Sequence, residues 1–227
     1  MSASAPAAEA GDRPARMSRR QWRRQQTREE ILDTALRVMA EDGVGALNLS
    51  QVAARMGLHQ SSLYAYFESR LAVYDALFER GMQRHLAVVR AAVSTAPPGW
   101  AAVRAAIVAT VRFAVDDPVL AELLFSRAVP GFTPSPPAYA PSLQVEALMQ
   151  TAVTAAVERG ELHPNAASEA GLQLLIVLGA GVAAQQLAND PGRQFPEGRF
   201  TPLIGYALDM YEAYLAPDGN GLPVRSG

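Results

Sequence analysis

Residues 48–67 have the sequence NLSQVAARMGLHQSSLYAYF, and this stretch decides the fold of the chain around it. Gly57 divides it, because a residue without a Cβ takes the left-handed backbone conformation of a tight turn at little cost. Apolar residues recur at helical spacing on both sides of the glycine. The stretch therefore predicts two short helices joined by a tight turn. The predicted inner face consists of Val52, Ala53, Met56, Leu58, Leu63 and Phe67.

The second of these helices is expected to be polar on its outer side. Short polar side chains suit a helix that enters the major groove of DNA, where base edges present hydrogen-bond donors and acceptors. Tyrosine hydroxyls, and the N–H groups at a helix start, can bind phosphate oxygens. Spacing alone leaves an alternative open, namely a polar helical hairpin with no role in DNA binding. The outward residues are Gln60, Ser61, Ser62, Tyr64 and Tyr66.

Helix signals continue on both sides of this motif. Thr27 followed by Glu30 predicts a capping box at the start of a first helix. Asn48 followed by Gln51 predicts a similar start, and Ser69 predicts the N-cap of a long helix. Further helices are expected near 99–115, 118–128, 139–159, 164–188 and 201–216, which makes an all-α chain of about nine helices.

Prolines mark some of these later boundaries. Asp117-Pro118 and Thr201-Pro202 place proline where a first helical turn tolerates it, and Asp117 and Thr201 are good N-cap residues. The proline-rich segment Val129–Pro141 is instead predicted to be a loop.

Charge is divided unevenly along the chain, although the net charge is only −2. Residues 1–90 carry 13 Arg against 10 acidic residues, whereas residues 91–227 carry 7 Arg against 12. Residues 13–28 contain seven Arg and no acid. This division predicts a DNA-facing N-terminal part, with an arm from Arg13 to Arg28 that adds affinity for phosphates or a minor groove. The alternative for the arm is a solvated, disordered tail.

Residues about 27–75 resemble the N-terminal domain of the tetracycline-repressor (TetR) family. The resemblance rests on TREEIL at 27–32, Gly43-Val44, Leu47-Asn48, VAARMGL at 52–58, and LYAYF at 63–67 followed by Ser69-Arg70. It implies a third helix that contacts DNA, with further contacts from both neighbouring helices. His59 stands at the usual Ser/Thr cap position, Tyr66 replaces a common His, and Arg70 replaces the usual Lys. The residues that the resemblance nominates for DNA binding are Asn48, Ser50, Gln60, Ser61, Ser62, Tyr64, Tyr66 and Arg70.

The same resemblance implies a C-terminal helical domain that binds an effector and forms a homodimer. The last predicted helix has an apolar stripe, and the helix before it is rich in small residues that allow close helix contact. Such a pair of helices and its symmetry mate would make a four-helix interface, although a stripe of this kind is also ordinary core. The stripe is Leu203, Ile204, Ala207, Met210, Tyr211, Tyr214 and Leu215, and the small residues are Gly171, Gly179, Ala180, Gly181, Ala183 and Ala184.

An effector site is expected among the C-terminal helices. The segment Phe113–Phe132 resembles a C-terminal variant found among TetR-like regulators, and ligand pockets are mostly apolar with a few polar anchors. Arg112 or Arg127 is a candidate anchor. Ordinary core packing is the alternative for each aromatic residue. The candidate lining residues are Phe113, Phe125, Phe132, Tyr139 and Met149.

Catalysis, metal binding and cofactors are not expected. The chain has no cysteine, and its three histidines (59, 85 and 163) do not have metal-ligand spacing. It has no glycine-rich phosphate loop and no Gly-x-Ser-x-Gly motif. The first 17 residues lack the apolar stretch of a secretory signal, and the apolar segment Leu172–Ala184 has 13 residues, too few to span a bilayer. A cytoplasmic protein without membrane contact is predicted.

These observations predict a domain plan and a function. Residues 1–22 form a disordered basic arm, 23–70 a helix-turn-helix DNA-binding domain, 71–217 a helical effector-binding and dimerisation domain, and 218–227 a disordered tail. The expected protein is a ligand-responsive repressor. It binds a palindromic double-stranded DNA operator as a homodimer and is released when a small apolar effector shifts the fourth helix. The rival classes are an enzyme and a purely structural interaction module.

Overall fold

The computed structural model describes residues 18–219 and contains no strand within that range, which confirms the all-α prediction. Nine α-helices follow one another there: α1 (Arg19–Asp42), α2 (Leu49–Arg55), α3 (Gln60–Leu63), α4 (Arg70–Thr95), α5 (Trp100–Asp116), α6 (Pro118–Phe125), α7 (Pro136–Glu158), α8 (Glu169–Asn189) and α9 (Leu203–Tyr214). Short 3-10 turns lie at Val44–Ala46 and Pro164–Ala167.

The first three helices and the start of α4 enclose one apolar core. Val52, Leu63 and Phe67 are buried in it, and Gly57 has φ +67°, as the predicted turn requires. Leu58 was predicted to face inward, but it is exposed. It follows the turn glycine directly, where the chain has not yet entered the next helix. Tyr74 of α4 is fully buried, and its hydroxyl donates to the Val44 carbonyl at 2.6 Å, which fixes α4 to this domain.

The first helix begins earlier than predicted. Ser18 caps it through a box with Gln21, in which each side chain accepts from the backbone N–H of the other residue. The predicted Thr27–Glu30 box is therefore wrong, because residues 19–26 continue the helix and the Thr27 hydroxyl donates to the Arg23 carbonyl. Of the predicted disordered arm, residues 19–22 are helical, and residues 1–17 lie outside the described range, as do residues 220–227 of the predicted tail.

The long helix α4 joins this domain to the C-terminal helices without a linker. Ser69 caps it as predicted, accepting from the Ala72 N–H at 3.1 Å. Asp117 caps α6, also as predicted. Together α4 and α5 carry one side of a second core that is completed by α7, α8 and α9. Its buried members include Val103, Val111, Val153, Leu162, Leu175, Leu208 and Tyr211.

Two later helix boundaries differ from their predictions. The predicted loop over Val129–Pro141 ends early, because Ser135 caps α7 at Pro136. The Asp75 carboxylate accepts from both the N–H and the hydroxyl of Ser135 at 2.7 Å, so α4 holds this cap in place. Thr201 is not an N-cap: its hydroxyl donates to the carbonyls of Pro196 and Gly198, and α9 begins at Leu203.

Candidate nucleic-acid interface

The helix-turn-helix brings the predicted DNA-binding residues to one outer surface. Asn48, Ser50, Gln60, Ser61, Ser62, Tyr64 and Arg70 are exposed, and Tyr66 is half-buried. Two of them, Asn48 and Ser50, also make hydrogen bonds within the motif. The Asn48 side chain caps α2 by accepting from the Ser50 N–H at 2.9 Å, and the Ser50 hydroxyl donates to the Gln60 amide oxygen at 2.7 Å.

The bond from Ser50 orients Gln60 for recognition. Because the amide oxygen accepts from Ser50, the amide nitrogen lies on the other side, 3.5 Å from the Tyr64 hydroxyl. An amide nitrogen has two N–H donors, so Gln60 can donate to a base edge or a phosphate while keeping its contact with Ser50. Ser50, Gln60 and Tyr64 thus form a polar row across α2 and α3.

Arginines of α1 support the far end of α3, a role that the sequence analysis did not assign to them. Arg24 donates to the Ala65 carbonyl at 2.7 Å, and Arg28 donates to the Tyr66 carbonyl at 3.1 Å. The Arg28 guanidinium also lies 4.1 Å from the centre of the Phe67 ring. Carbonyls at a helix end lack partners within the helix and attract cations, so these arginines fix the position of α3 relative to α1.

A basic hollow of about 650 Å³ lies beside this support. Its lining residues are Arg19, Arg20, Arg23, Arg24, Thr27 and Tyr66. Arg19, Arg20 and Arg23 are exposed, and none of them forms an ion pair with another residue in the range 18–219. An open arginine cluster next to a recognition helix can bind phosphate oxygens without reading sequence.

By contrast, Arg55 of α2 is not available for DNA in this arrangement. Its guanidinium donates to both carboxylate oxygens of Glu41 on α1, at 2.8 and 2.5 Å. The hydrogen bond from Arg55 is also the main cause of a lowered pKa of the Glu41 carboxyl. The pair links α2 to α1 at the surface.

The five candidate effector-lining residues fall into three places. Phe113 and Phe125 have ring centres 6.4 Å apart between α5 and α6. Phe132 and Tyr139 both contact Phe78 of α4, with centre distances of 6.2 and 6.4 Å. Met149 lies against the large C-terminal core instead. Arg112 lies 4.8 Å from the Phe195 ring, outside both aromatic groups.

His85 of α4, which was not among the predicted site residues, lies between Phe113 and Phe125. Its ring centre is 5.2 Å from Phe113 and 5.3 Å from Phe125, and the residue is only 4% exposed. The Nε2 atom lies 3.0 Å from the Thr110 hydroxyl. Burial disfavours the charged ring and lowers the pKa of His85 from 6.5 to about 4. Its position three residues after the buried Met82, on the apolar side of α4, was the available signal.

We expect this histidine to make the fold sensitive to mild acid. The unfolded chain binds a proton at His85 near pH 6.5, but the folded protein does so only near pH 4. The free energy of unfolding is therefore highest above pH 7, and the contribution of His85 lowers it by about 2 kcal/mol as the pH drops to 5. Denaturant unfolding of the wild type and of His85→Gln, measured between pH 7 and 5, isolates this contribution. The prediction would be contradicted if the free energy of unfolding changed equally with pH in both proteins, since the carboxylates are the same in the two.

The end of α6 connects this aromatic group with the DNA-binding domain. Leu123 and Val129, on either side of Phe125, are buried in the N-terminal core. The Ala128 carbonyl approaches Gly45 so closely that a Cβ there would lie 2.8 Å from its oxygen. The residues on both sides of Phe125 therefore contact the core that positions α2 and α3.

The packed helices α8 and α9 both expose large apolar side chains, which together are called the α8–α9 face. Tyr206 and Met210 of α9 are 68% and 69% exposed, and Ile176 and Val177 of α8 are 61% and 63% exposed. By length and composition, α8 (21 residues) is apolar enough to cross a membrane, so the length argument from Leu172–Ala184 does not hold. Its opposite side is buried against α5 and α9, so the apolar exposure is confined to one side. The remaining large members of the face are Leu203 and Tyr214.

Comparison with known proteins places the N-terminal domain in context. Residues 31–77 match the family model for bacterial regulatory proteins of the tetR family. The HTH-type transcriptional activator FasR of Mycolicibacterium smegmatis is 31% identical over 117 residues, which cover 51% of this chain and 53% of FasR. The matching region thus spans about half the length of that relative.

Solved structures share the fold over most of the chain. A protein of unknown function from Rhodococcus sp. RHA1 is 25% identical, with a TM-score of 0.69 over 83% of this chain and 95% of the other. The regulator FadR of Bacillus subtilis, solved in complex with stearoyl-CoA, is 15% identical, with a TM-score of 0.64 over 82% of this chain and 97% of FadR. The likeness therefore extends beyond the helix-turn-helix to the C-terminal helices.

Proposed function

We propose that the chain is a DNA-binding transcriptional regulator of the TetR family, which acts on a palindromic operator as a homodimer. The observation that carries this proposal is the surface of α2 and α3, where an oriented Gln60 and an exposed Tyr64 stand beside a cluster of open arginines. Polar side chains for base edges and cations for phosphates are the two components of specific DNA binding. The DNA-binding residues are those nominated from the sequence, with Arg19, Arg20 and Arg23 added for the phosphates.

A dimer is proposed because one short recognition helix contacts few base pairs. Two copies related by a two-fold axis would place their α3 helices on half-sites about 34–36 Å apart. The α8–α9 face supports this arrangement, since it exposes large apolar side chains on helices that belong to the second core and not to the DNA-binding domain.

The proposed activity is repression that a small apolar effector relieves, without catalysis and in the cytoplasm. FadR, which shares the fold, was solved in complex with stearoyl-CoA, and FasR is a transcriptional activator, so ligand binding and activation both occur among similar proteins. Binding near α4 and α6 would shift the spacing of the two α3 helices through the contacts of Val129 and Gly45 with the N-terminal core.

Selection of bound DNA from a random pool tests the function as a whole. A palindromic product with half-sites one helical turn apart is the expected result. A product without symmetry would contradict binding as a dimer. Failure to enrich any sequence would contradict the proposal that the protein is a DNA-binding regulator. A reporter gene behind the selected operator then distinguishes repression from activation.

Replacing Tyr64 by Ala is expected to weaken binding to that operator about tenfold at moderate salt. Tyr64 is half exposed beside Gln60, and its loss removes one hydrogen bond to the DNA and the neighbour of the Gln60 amide. Fluorescence anisotropy with labelled operator measures the affinity. Leu143→Ala, an exposed apolar truncation on α7, is the matched control. Equal affinities of the two variants would show that Tyr64 lies outside the interface.

A further inference from the structure

His85 holds a hydrogen-bond acceptor that no described residue satisfies. The Thr110 hydroxyl has one proton, and it donates that proton to the Ala106 carbonyl at 3.0 Å. Both contacts of the hydroxyl are hydrogen bonds at once only when it donates to the carbonyl and accepts from His85 Nε2–H, 3.0 Å away, so we assign the ring proton to Nε2. The other ring nitrogen, Nδ1, is then an unprotonated acceptor. It is buried and has no hydrogen-bond partner within residues 18–219.

Such an atom is unusual in a folded protein. Most buried polar atoms have a partner, and each exception calls for a specific explanation. Protonation does not solve the problem here, because burial among Phe113 and Phe125 holds the pKa of His85 well below neutrality. A donor from outside the chain would satisfy Nδ1 without charging the ring.

We propose that His85, Phe113 and Phe125 form the anchoring part of the effector site, and that the effector is an apolar or aromatic molecule with a neutral hydroxyl or N–H donor. This inference rests on the proposed function for its regulatory meaning. The rings supply an apolar wall, and Nδ1 supplies one directional contact. A deprotonated carboxylate has no proton to give Nδ1, so the site favours phenols, alcohols and amides over fatty-acid anions.

Access to this site depends on Phe125. This residue ends α6, is 48% exposed, and contacts the buried His85 ring edge-on. As the most exposed of the three side chains, it is the one whose rotation would admit a ligand to His85. Because the following residues Ala128 and Val129 contact the N-terminal core, a ligand that displaces Phe125 also acts on the domain that carries α3.

The test uses 4-butylphenol and its methyl ether, 4-butylanisole, which have the same apolar body but differ in the hydroxyl donor. Calorimetric titration of the full chain is expected to show the phenol binding at least tenfold more tightly than the ether. His85→Phe keeps a ring and removes Nδ1, so it is expected to bind the two compounds equally. In ¹⁵N-labelled protein, the phenol should shift the His85 Nδ1 resonance towards that of a hydrogen-bonded nitrogen, whereas the ether should not.

Three results would overturn the inference: no phenol binding, equal binding of phenol and ether by the wild type, or an unchanged preference in His85→Phe. Operator binding without ligand is measured in parallel, which separates the two proposals. A protein that binds its operator but fails these tests keeps the proposed function and loses the site. A protein that discriminates the two compounds but enriches no DNA keeps the site and loses the function.

Discussion

Replacing Tyr206 and Met210 together by Asp is expected to convert the protein from a dimer to a monomer and to lower operator affinity at least a hundredfold. Both side chains belong to the α8–α9 face and are about two-thirds exposed. In a two-fold interface built from this face, the two copies would bring four new carboxylates into one apolar surface, where they would be desolvated and would repel one another. Separate half-site domains also lose the high effective concentration that linkage provides.

Sedimentation velocity and operator binding, both measured over a range of protein concentrations, check this prediction. Leu143→Asp on α7 is the matched control, since it adds a carboxylate at a side chain that is 54% exposed and lies on another helix. The control is expected to remain dimeric with normal affinity. If the double variant still sediments as a dimer, the dimer interface does not lie on α8 and α9.

The DNA-binding half was largely predictable because its signals are local. Gly57, the Asn48 cap and the apolar positions of α2 and α3 act within a few residues, so their pattern in the sequence predicts the geometry directly. The incorrect prediction that the first helix starts at Thr27 also came from a local signal. A capping box at Thr27 competes with one at Ser18, and a sequence pattern alone does not rank two equivalent boxes.

The C-terminal half depends on contacts between distant residues, and there the predictions were weaker. The start of α7 is fixed by Asp75, which lies 60 residues before Ser135, so the prolines after it join a helix rather than a loop. In the sequence, His85 is one of three widely spaced histidines, and that spacing does not indicate a site. Its importance comes from Thr110 and Phe125, which only the folded chain brings to it. The apolar stripe of the last predicted helix similarly has two sides. Ile204 and Tyr211 are buried, whereas Leu203, Met210 and Tyr214 are exposed and belong to the α8–α9 face.

Gly171→Ala is expected to destabilise the protein by about 2 kcal/mol, although alanine is the better helix former. A Cβ at this position would clash with the Ala166 oxygen and lie 2.6 Å from the Asn165 oxygen, both in the backbone of the preceding 3-10 turn. Neither oxygen can move without displacing that turn. Overpacking of this kind costs up to about 3 kcal/mol, and the better helix propensity of alanine offsets about 1 kcal/mol of that cost. The Gly171 carbonyl also accepts from the Tyr211 hydroxyl at 3.1 Å, so the strain would reach α9.

Gly181→Ala, which lies further along α8, is the matched control because a Cβ there meets nothing within 4 Å. Both changes are made in the monomeric Tyr206→Asp/Met210→Asp background, so that only contacts within one chain count. Urea unfolding is then expected to show a loss for Gly171→Ala and a gain of up to about 1 kcal/mol for Gly181→Ala. Equal effects would mean that α8 does not approach the 3-10 turn as closely as described. Made in the wild-type background, Gly181→Ala should instead weaken the dimer, since Gly181 lies on the exposed side of α8 that the α8–α9 face would bring against its symmetry mate.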